Sequence, residues 1–542
     1  MERNAEARAA PTARPRWEVA VPTAPLMLAG AGGLWLLVRG LAAANGLVGG
    51  AELASLAGAW SAKAGEADAR FVPTLAQALT AAAFELTPSP YVPRFLLLAL
   101  GLLLLAVAVA WLRPVAGDAR LAALVALAAI DPLGIALGLG SAEALDGSVA
   151  LLLLAVSLRP PASPVVWGIV GFLTAAGGAT LFPAAVAFAG AAIVAVPHVD
   201  RRRVAWLVGG AAAAALAASF GFGFGWQGVT VPMFEDVGAV FDGGQATAPA
   251  WVFAVLYGGP LLAAGALAAA SILFRPDALA SAERALVAWW GVAVAGIVAA
   301  GSAEALAPAA SASLASLVLA AWRFPSAVAG LRRCAWREAR WAVALLLGLL
   351  GVAAMSAFSW AHGRLGAGSG TLALALAAAA AVLTASLLRQ RRTRAAALVP
   401  GAAIAAAWLV AMASRAAAPS WHEPLYSPLS SPQDATLRFV ALELRGDGQI
   451  LVHPGLEEAA VWPLRDVGTI AVGSRPEAGD SLLIWPADAA APEGYRALEG
   501  RWTLTWSSEP PRGLRSFLRW LSDRNSLPRG AVEVRIFTRA EE

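Results

Sequence analysis

The sequence predicts a mainly α-helical, polytopic membrane bundle that carries a small α/β domain at its C-terminal end. Of 542 residues, 59% are hydrophobic and only 14% charged, and the mean hydropathy is +0.66. That leaves too little polar surface to cover a soluble body of this size. Apolar runs of near-span length recur between residues 20 and 413, and arginines punctuate them in alternation. From Ala416 onward the composition changes, with prolines, charges and strand-like alternation.

A membrane helix needs about 20 mainly apolar residues. By that measure spans are expected at 20–38, 95–112, 121–139, 147–158, 165–180, 182–196, 204–224, 251–274, 285–300, 309–322, 341–360, 371–388 and 395–413, about thirteen helices. Several are short for a straight crossing, which implies tilt, a break or re-entry. The Ala and Gly richness suits close helix packing. Cytoplasmic loops are enriched in Lys and Arg. With the N-terminus inside, Arg3 to Arg16, Arg113, Arg120, Arg159, Arg201 to Arg203, Arg275, Arg284, Arg323 to Arg340 and Arg389 to Arg394 all fall inside. The short outer loops near Ser141, Gln227, Ala303 and His362 hold almost none, Arg364 excepted. The domain plan is a cytoplasmic tail at 1–18, a transmembrane domain at 19–415 with a long first outer loop at 39–93, and an extracytoplasmic α/β domain at 416–542. No signal-peptide cleavage pattern fits better than a retained first span. The expected location is the cytoplasmic membrane.

In the C-terminal region, 449–453, 467–472, 481–485, 502–506 and 532–538 read as strands, and 435–444 and 514–522 as helices. Roughly 120 residues suffice for a core of their own.

Several chemistries are excluded. The lone Cys334 and the scattered His198, His362, His422 and His453 make neither a disulfide framework nor a His- or Cys-built metal site. Arginines dispersed among apolar runs do not form a nucleic-acid-binding stripe. No Gly-rich phosphate loop, nucleophile elbow or zinc-protease motif is present. The tryptophans Trp35, Trp111, Trp226, Trp251, Trp322, Trp341 and Trp360 fall near span ends, as an aromatic belt requires. The run Arg389 to Arg394 reads as an anchor to anionic membrane lipid. Asp131, followed by Pro132, either caps a broken helix or lines a cavity.

After the first span comes Gly49-Gly50-Ala51-Glu52-Leu53-Ala54, and a second acidic stretch, Leu137 to Asp146, opens a Leu-rich span. This order resembles the GT-C glycosyltransferases, the superfamily of dolichyl-phosphate-mannose protein mannosyltransferases and their bacterial relatives. Within it, the segments Gly243-Gly244-Gln245, Glu423 to Pro428, Trp462 to Asp466, Leu518 to Leu521 and Val532 to Arg535 are similar to a subgroup of flippase-activity-associated membrane proteins. The resemblance implies transfer of a sugar from a polyprenyl-phosphate donor to an acceptor on the outer face, in cell-envelope glycan or glycoprotein assembly. A carboxylate must take the acceptor's proton, and cations must face the leaving phosphate. It makes Glu52 the candidate catalytic base and Glu143 and Asp146 binders of acceptor or of a divalent metal ion. Arg70 and Arg94 become the phosphate partners. The implied partners are a lipid-linked sugar donor, membrane lipids and glycan-assembly or flippase proteins, with no nucleic acid. Where the superfamily's first motif carries an Asp, this chain has Ala51. That departure favours a rival reading, a non-catalytic relative assisting lipid-linked glycan translocation. A transporter is the second rival. Against it stand the absence of an inverted repeat and of paired Gly/Pro-broken helices.

Overall fold

The computed structural model describes residues 24–44, 47–49, 55–60, 74–137, 144–177, 200–222, 250–274, 281–299, 306–333, 405–417, 426–428, 432–444, 448–508 and 529–540, apart from short gaps inside some of these segments. The predicted spans 182–196, 341–360 and 371–388 and the predicted helix 514–522 lie outside the described residues, as do Glu52, Arg70 and Glu143.

The chain is a multi-pass membrane protein, mainly helical. Three of its helices, within Pro25–Ala43, Tyr91–Ala116 and Phe253–Leu273, are long and apolar enough to cross a bilayer, counting the described residues only. Each shows one face to its neighbours and one to lipid. Along Tyr91–Ala116, Leu97, Gly101, Leu105, Ala108, Leu112 and Ala116 are buried, three or four residues apart, while Phe95, Leu96, Leu103 and Val107 are exposed. A helix this apolar on its outer side is solvated by hydrocarbon. The other described helices of the bundle include Leu75–Leu86, Asp118–Ala129, Pro132–Leu137, Asp146–Leu158, Pro164–Gly177, Arg201–Ser219, Ser281–Ala299 and Leu306–Arg333. Leu75–Leu86 begins in a capping box: the Gln77 amide donates to Thr74 Oγ1 at 3.3 Å and the Thr74 amide to Gln77 Oε1 at 2.9 Å.

Small residues set the helix spacing. A Cβ on Gly265 would sit 2.6 Å from the Cβ of Ser316 and 2.7 Å from its Cα, so helices Ala250–Leu273 and Leu306–Arg333 touch nearly backbone to backbone. Without a hydrophobic drive between helices in lipid, such close approach is what holds them. Gly265→Val is therefore expected to cost about 1–3 kcal/mol by overpacking. Thermal unfolding in detergent, followed by tryptophan fluorescence, checks it as a lowered Tm.

The expected strands of the C-terminal domain are present, with shifted ends. Strands β3 (Gln449–Val452), β4 (Ile470–Val472), β5 (Asp480–Pro486), β7 (Trp502–Ser508) and β8 (Arg529–Arg539) are joined by β6 (Tyr495–Ala497), which the sequence did not mark. The sheet order is β4-β3-β5-β8-β6, with β7 also paired to β8. β3 runs parallel to β4 and β5, and β8 antiparallel to its neighbours. Alternation divides the faces. Ile450, Val452, Leu482, Ile484, Val534 and Ile536 bury against Leu437 and Ala441 of helix Pro432–Leu444. Leu451, Leu483, Trp485 and Phe537 form a second cluster.

Two further strands join the domains. β1 (Leu47–Gly49), just after the first helix, pairs antiparallel with β2 (Tyr426–Pro428), near the start of the C-terminal region. The first loop and the folded tail therefore start on the same side of the bundle. The register sets Val48 opposite Ser427. Directly opposed residues hold their Cβ atoms about 4.5–5.5 Å apart, near disulfide range. In a Cys334→Ser background, V48C with S427C is expected to cross-link under mild oxidation, whereas V48C paired with a cysteine introduced elsewhere in the tail is not. A gel shift reversed by reductant is the readout.

Candidate functional site

Charge buried in hydrocarbon is costly and marks function or a structural pin. Among the described residues of the helical bundle, the buried charged side chains are Arg39, Arg94, Asp131 and Asp146. They gather at one end. Arg39, Asp131 and Asp146 line a cavity of about 100 Å³. Arg94 lies one turn before Leu97 and Leu98, which form part of the wall. The remaining wall is apolar and small: Trp35, Gly101, Leu105, Ala128, Ala144, Leu151, Leu314 and Leu317, with Ser148 and Ser311. A greasy wall with a few converging polar groups is the usual build of a ligand site.

The helix that should span 121–139 is broken. It ends at Ala129 and restarts at Pro132. Pro132 occupies the first position of the new helix, where a missing N–H does no harm. Asp131 is its cap: its carboxylate takes the Leu133 and Gly134 amides, as an N-cap carboxylate does. Asp131 Oδ1 also accepts from Ser313 Oγ at 2.9 Å, and the Arg39 guanidinium acts on it electrostatically. Both sequence readings of Asp131, cap and cavity wall, thus hold at once. Broken backbone at membrane depth survives only inside protein or beside a cavity, and here it has both.

Arg39 was grouped by sequence with the first outer loop. It sits instead near the end of helix Ala24–Ala43, buried, with its guanidinium 5.7 Å from the Trp35 ring centroid. Its Nη1 donates to the Gly134 carbonyl and its Nη2 to that of Ala128 at 3.3 Å. Trp35 itself faces the cavity and not the headgroup layer. Trp111 does hold a helix end, donating from Nε1 to the Arg159 carbonyl at 2.8 Å.

Asp146 opens helix Asp146–Leu158 and is buried at the cavity wall, where the helix's positive end favours a carboxylate. Ser148 Oγ donates to the Gly101 carbonyl at 3.0 Å and fixes this helix to Tyr91–Ala116. Arg94 does not snorkel toward headgroups. It is 1% exposed and donates from Nη1 to the Ala43 carbonyl at 3.3 Å, at the end of the first helix. Of the expected site residues, the structure therefore places Asp146 in the cavity and Arg94 beside it. Glu143 adjoins the cavity-lining Ala144 in the chain, and Glu52 follows β1 by three residues. Sequence reasoning missed Arg39, Ser148, Ser311 and Ser313. Only the Asp131-Pro132 pair signalled that this level of the bundle was special.

No protein-family model matches the chain, and no curated protein matches it in sequence. Among solved structures, the crystal structure of ArnT from Cupriavidus metallidurans bound to undecaprenyl phosphate is similar at 16% identity over 86% of this chain and 93% of that one, with a TM-score of 0.51. The apo state of the same protein gives 15% identity, coverages of 84% and 86%, and a TM-score of 0.46. The apo oligosaccharyltransferase of Archaeoglobus fulgidus gives 11%, 83% and 64%, and 0.46. The likeness to the undecaprenyl-phosphate complex of ArnT, over 86% of this chain and 93% of that one, shows a shared overall fold.

Proposed function

We propose that the protein is a membrane glycosyltransferase that moves a sugar from a polyprenyl-phosphate donor to an acceptor on the outer face of the cytoplasmic membrane. The observation that carries this reading is the clustering of the buried charges of the bundle's described residues at one cavity, beside the end of the first helix, in a fold similar to that of a protein crystallised with undecaprenyl phosphate. In the reaction, the acceptor oxygen attacks the anomeric carbon of the sugar. The carbon–oxygen bond to phosphate breaks, and polyprenyl phosphate leaves with the electron pair. The acceptor's proton passes to Glu52. Arg70 and Arg94 stabilise the leaving phosphate, and Glu143 and Asp146 orient the acceptor. Those two acids are also the residues that would hold a divalent cation, which takes carboxylate oxygens. Asp131 does not fit that set, because the Ser313 hydroxyl, two backbone amides and Arg39 already engage it. About thirteen spans, N-terminus inside and tail outside, complete this reading.

The test is release of free polyprenyl phosphate and labelled product by protein in nanodiscs, supplied with a polyprenyl-phosphate sugar and acceptor. Asp146→Asn is expected to lower kcat/KM roughly a hundredfold, through misplacement of the acceptor. Ala51 supports the second reading, a non-catalytic relative that assists lipid-linked glycan translocation. Donor scrambling across vesicles without transfer is the result that would establish it and overturn the first.

A further inference from the structure

The broken helix shows what Arg39 does. In an unbroken helix the amide of residue 132 would serve the Ala128 carbonyl. Pro132 has no amide hydrogen, so that carbonyl has no donor within its own helix. Arg39 Nη2 supplies one at 3.3 Å. Gly134 lies in the last turn of Pro132–Leu137, where helix carbonyls also lack helical donors, and Arg39 Nη1 donates to it. One side chain from the first helix thus serves both halves of the break. A cation also suits the negative ends of two helix segments. Gly134 leaves room for this: a Cβ there would sit 2.8 Å from Asp131 Oδ2 and 3.0 Å from Arg39 Nη2. A turn beyond Arg39, the Ala43 carbonyl is held by Arg94, and the chain then enters β1 and the segment with Glu52.

We infer that Arg39 is a positioning residue: it pins the broken helix to the end of the first helix, and so fixes where the first loop leaves the bundle relative to Asp146 across the cavity. This rests on reading the cavity as a transfer site.

The test uses the full-length protein in nanodiscs, with spin labels at Val48, in the strand that follows the first helix, and at Gly147, where nothing crowds an added side chain, in a Cys334→Ser background. Arg39→Gln should broaden the distance distribution between the labels. It should also lower kcat roughly a hundredfold, as a displacement on the order of 1 Å can, while KM for the donor stays nearly constant. Adding Pro132→Ala, which returns an N–H to position 132, should restore both the narrow distribution and much of the rate. A side chain that bound the donor would behave otherwise: Arg39→Gln would raise KM, and Pro132→Ala would restore nothing. Either of those results, or unmoved distances, overturns the inference. Should Arg39→Gln not fold, Gly134→Ala keeps every charge and is expected to give the same broadening, and an unchanged distribution there overturns the inference equally. These distance changes in Arg39→Gln, together with no sugar transfer by the wild-type protein, would sink the transferase reading and leave the pin standing.

Discussion

Glu52→Gln is expected to lower transfer from a polyprenyl-phosphate sugar by about 10²–10⁴-fold, the range over which a positioned proton acceptor acts. Glutamine keeps the size and the hydrogen-bonding reach of glutamate but cannot take the acceptor's proton. The loss should therefore fall on kcat, with KM for the donor little changed, because Glu52 is assigned no contact to the phosphate. Its place in the chain supports the assignment. The strand Leu47–Gly49, three residues earlier, is fixed by pairing with Tyr426–Pro428, and the cavity with Asp146 opens at the end of the helix that feeds this loop. Initial rates across acceptor pH separate the roles. Loss of the acidic limb of the wild-type profile in the Gln variant identifies the base. A variant that transfers at the wild-type rate would move the base to another acid and remove Glu52 from the mechanism. Ala51 makes the experiment sharper. If Glu52 carries the step alone, Ala51→Asp should not be required for activity.

Much of the fold was legible because its signals are local. Length and apolarity alone mark 95–112 as a span, and in the structure Leu97, Gly101, Leu105 and Ala108 bury one face of that helix. Alternation made Ile450, Leu451 and Val452 a strand before any partner was known, and the structure sends them to opposite faces. The Asp131-Pro132 break was legible for the same reason, since a cap and a first-turn proline are neighbours in the chain. What stayed hidden depends on distant partners. β1 and β2 are three residues each, too short for any periodicity, and their pairing joins opposite ends of the chain. Arg39 looked like a loop charge because its acceptors, Gly134 and Ala128, lie 95 and 89 residues away. Ser313 looked like one more small residue on a helix, yet its hydroxyl meets Asp131 from 182 residues away. Of the acids that the sequence marked, Asp146 lines the cavity, whereas Arg39 and Ser313, which hold the broken helix beside it, left no local signal.

Asp131→Leu is expected to destabilise the bundle by about 3–5 kcal/mol, because it removes the carboxylate on which the buried Arg39 guanidinium acts electrostatically. The cost has two sources. One is the helix cap, since the Leu133 and Gly134 amides lose their acceptor, worth about 1 kcal/mol. The larger is the lost attraction between this carboxylate and the Arg39 guanidinium, both of which line a wall with Trp35, Leu105, Leu314 and Leu317. Ser313→Ala removes only one hydroxyl donor to the same carboxylate and should cost about 1 kcal/mol. The decisive measurement is a double-mutant cycle on thermal unfolding in detergent. Replacing Arg39 by Met in the Asp131→Leu background should recover a large part of the loss, because paired removal of a buried ion pair costs far less than breaking it. Equal and additive losses in the two single variants and their sum would mean that Arg39 and Asp131 do not act as a pair, and that the break in the helix is held by the carbonyl contacts of Arg39 alone.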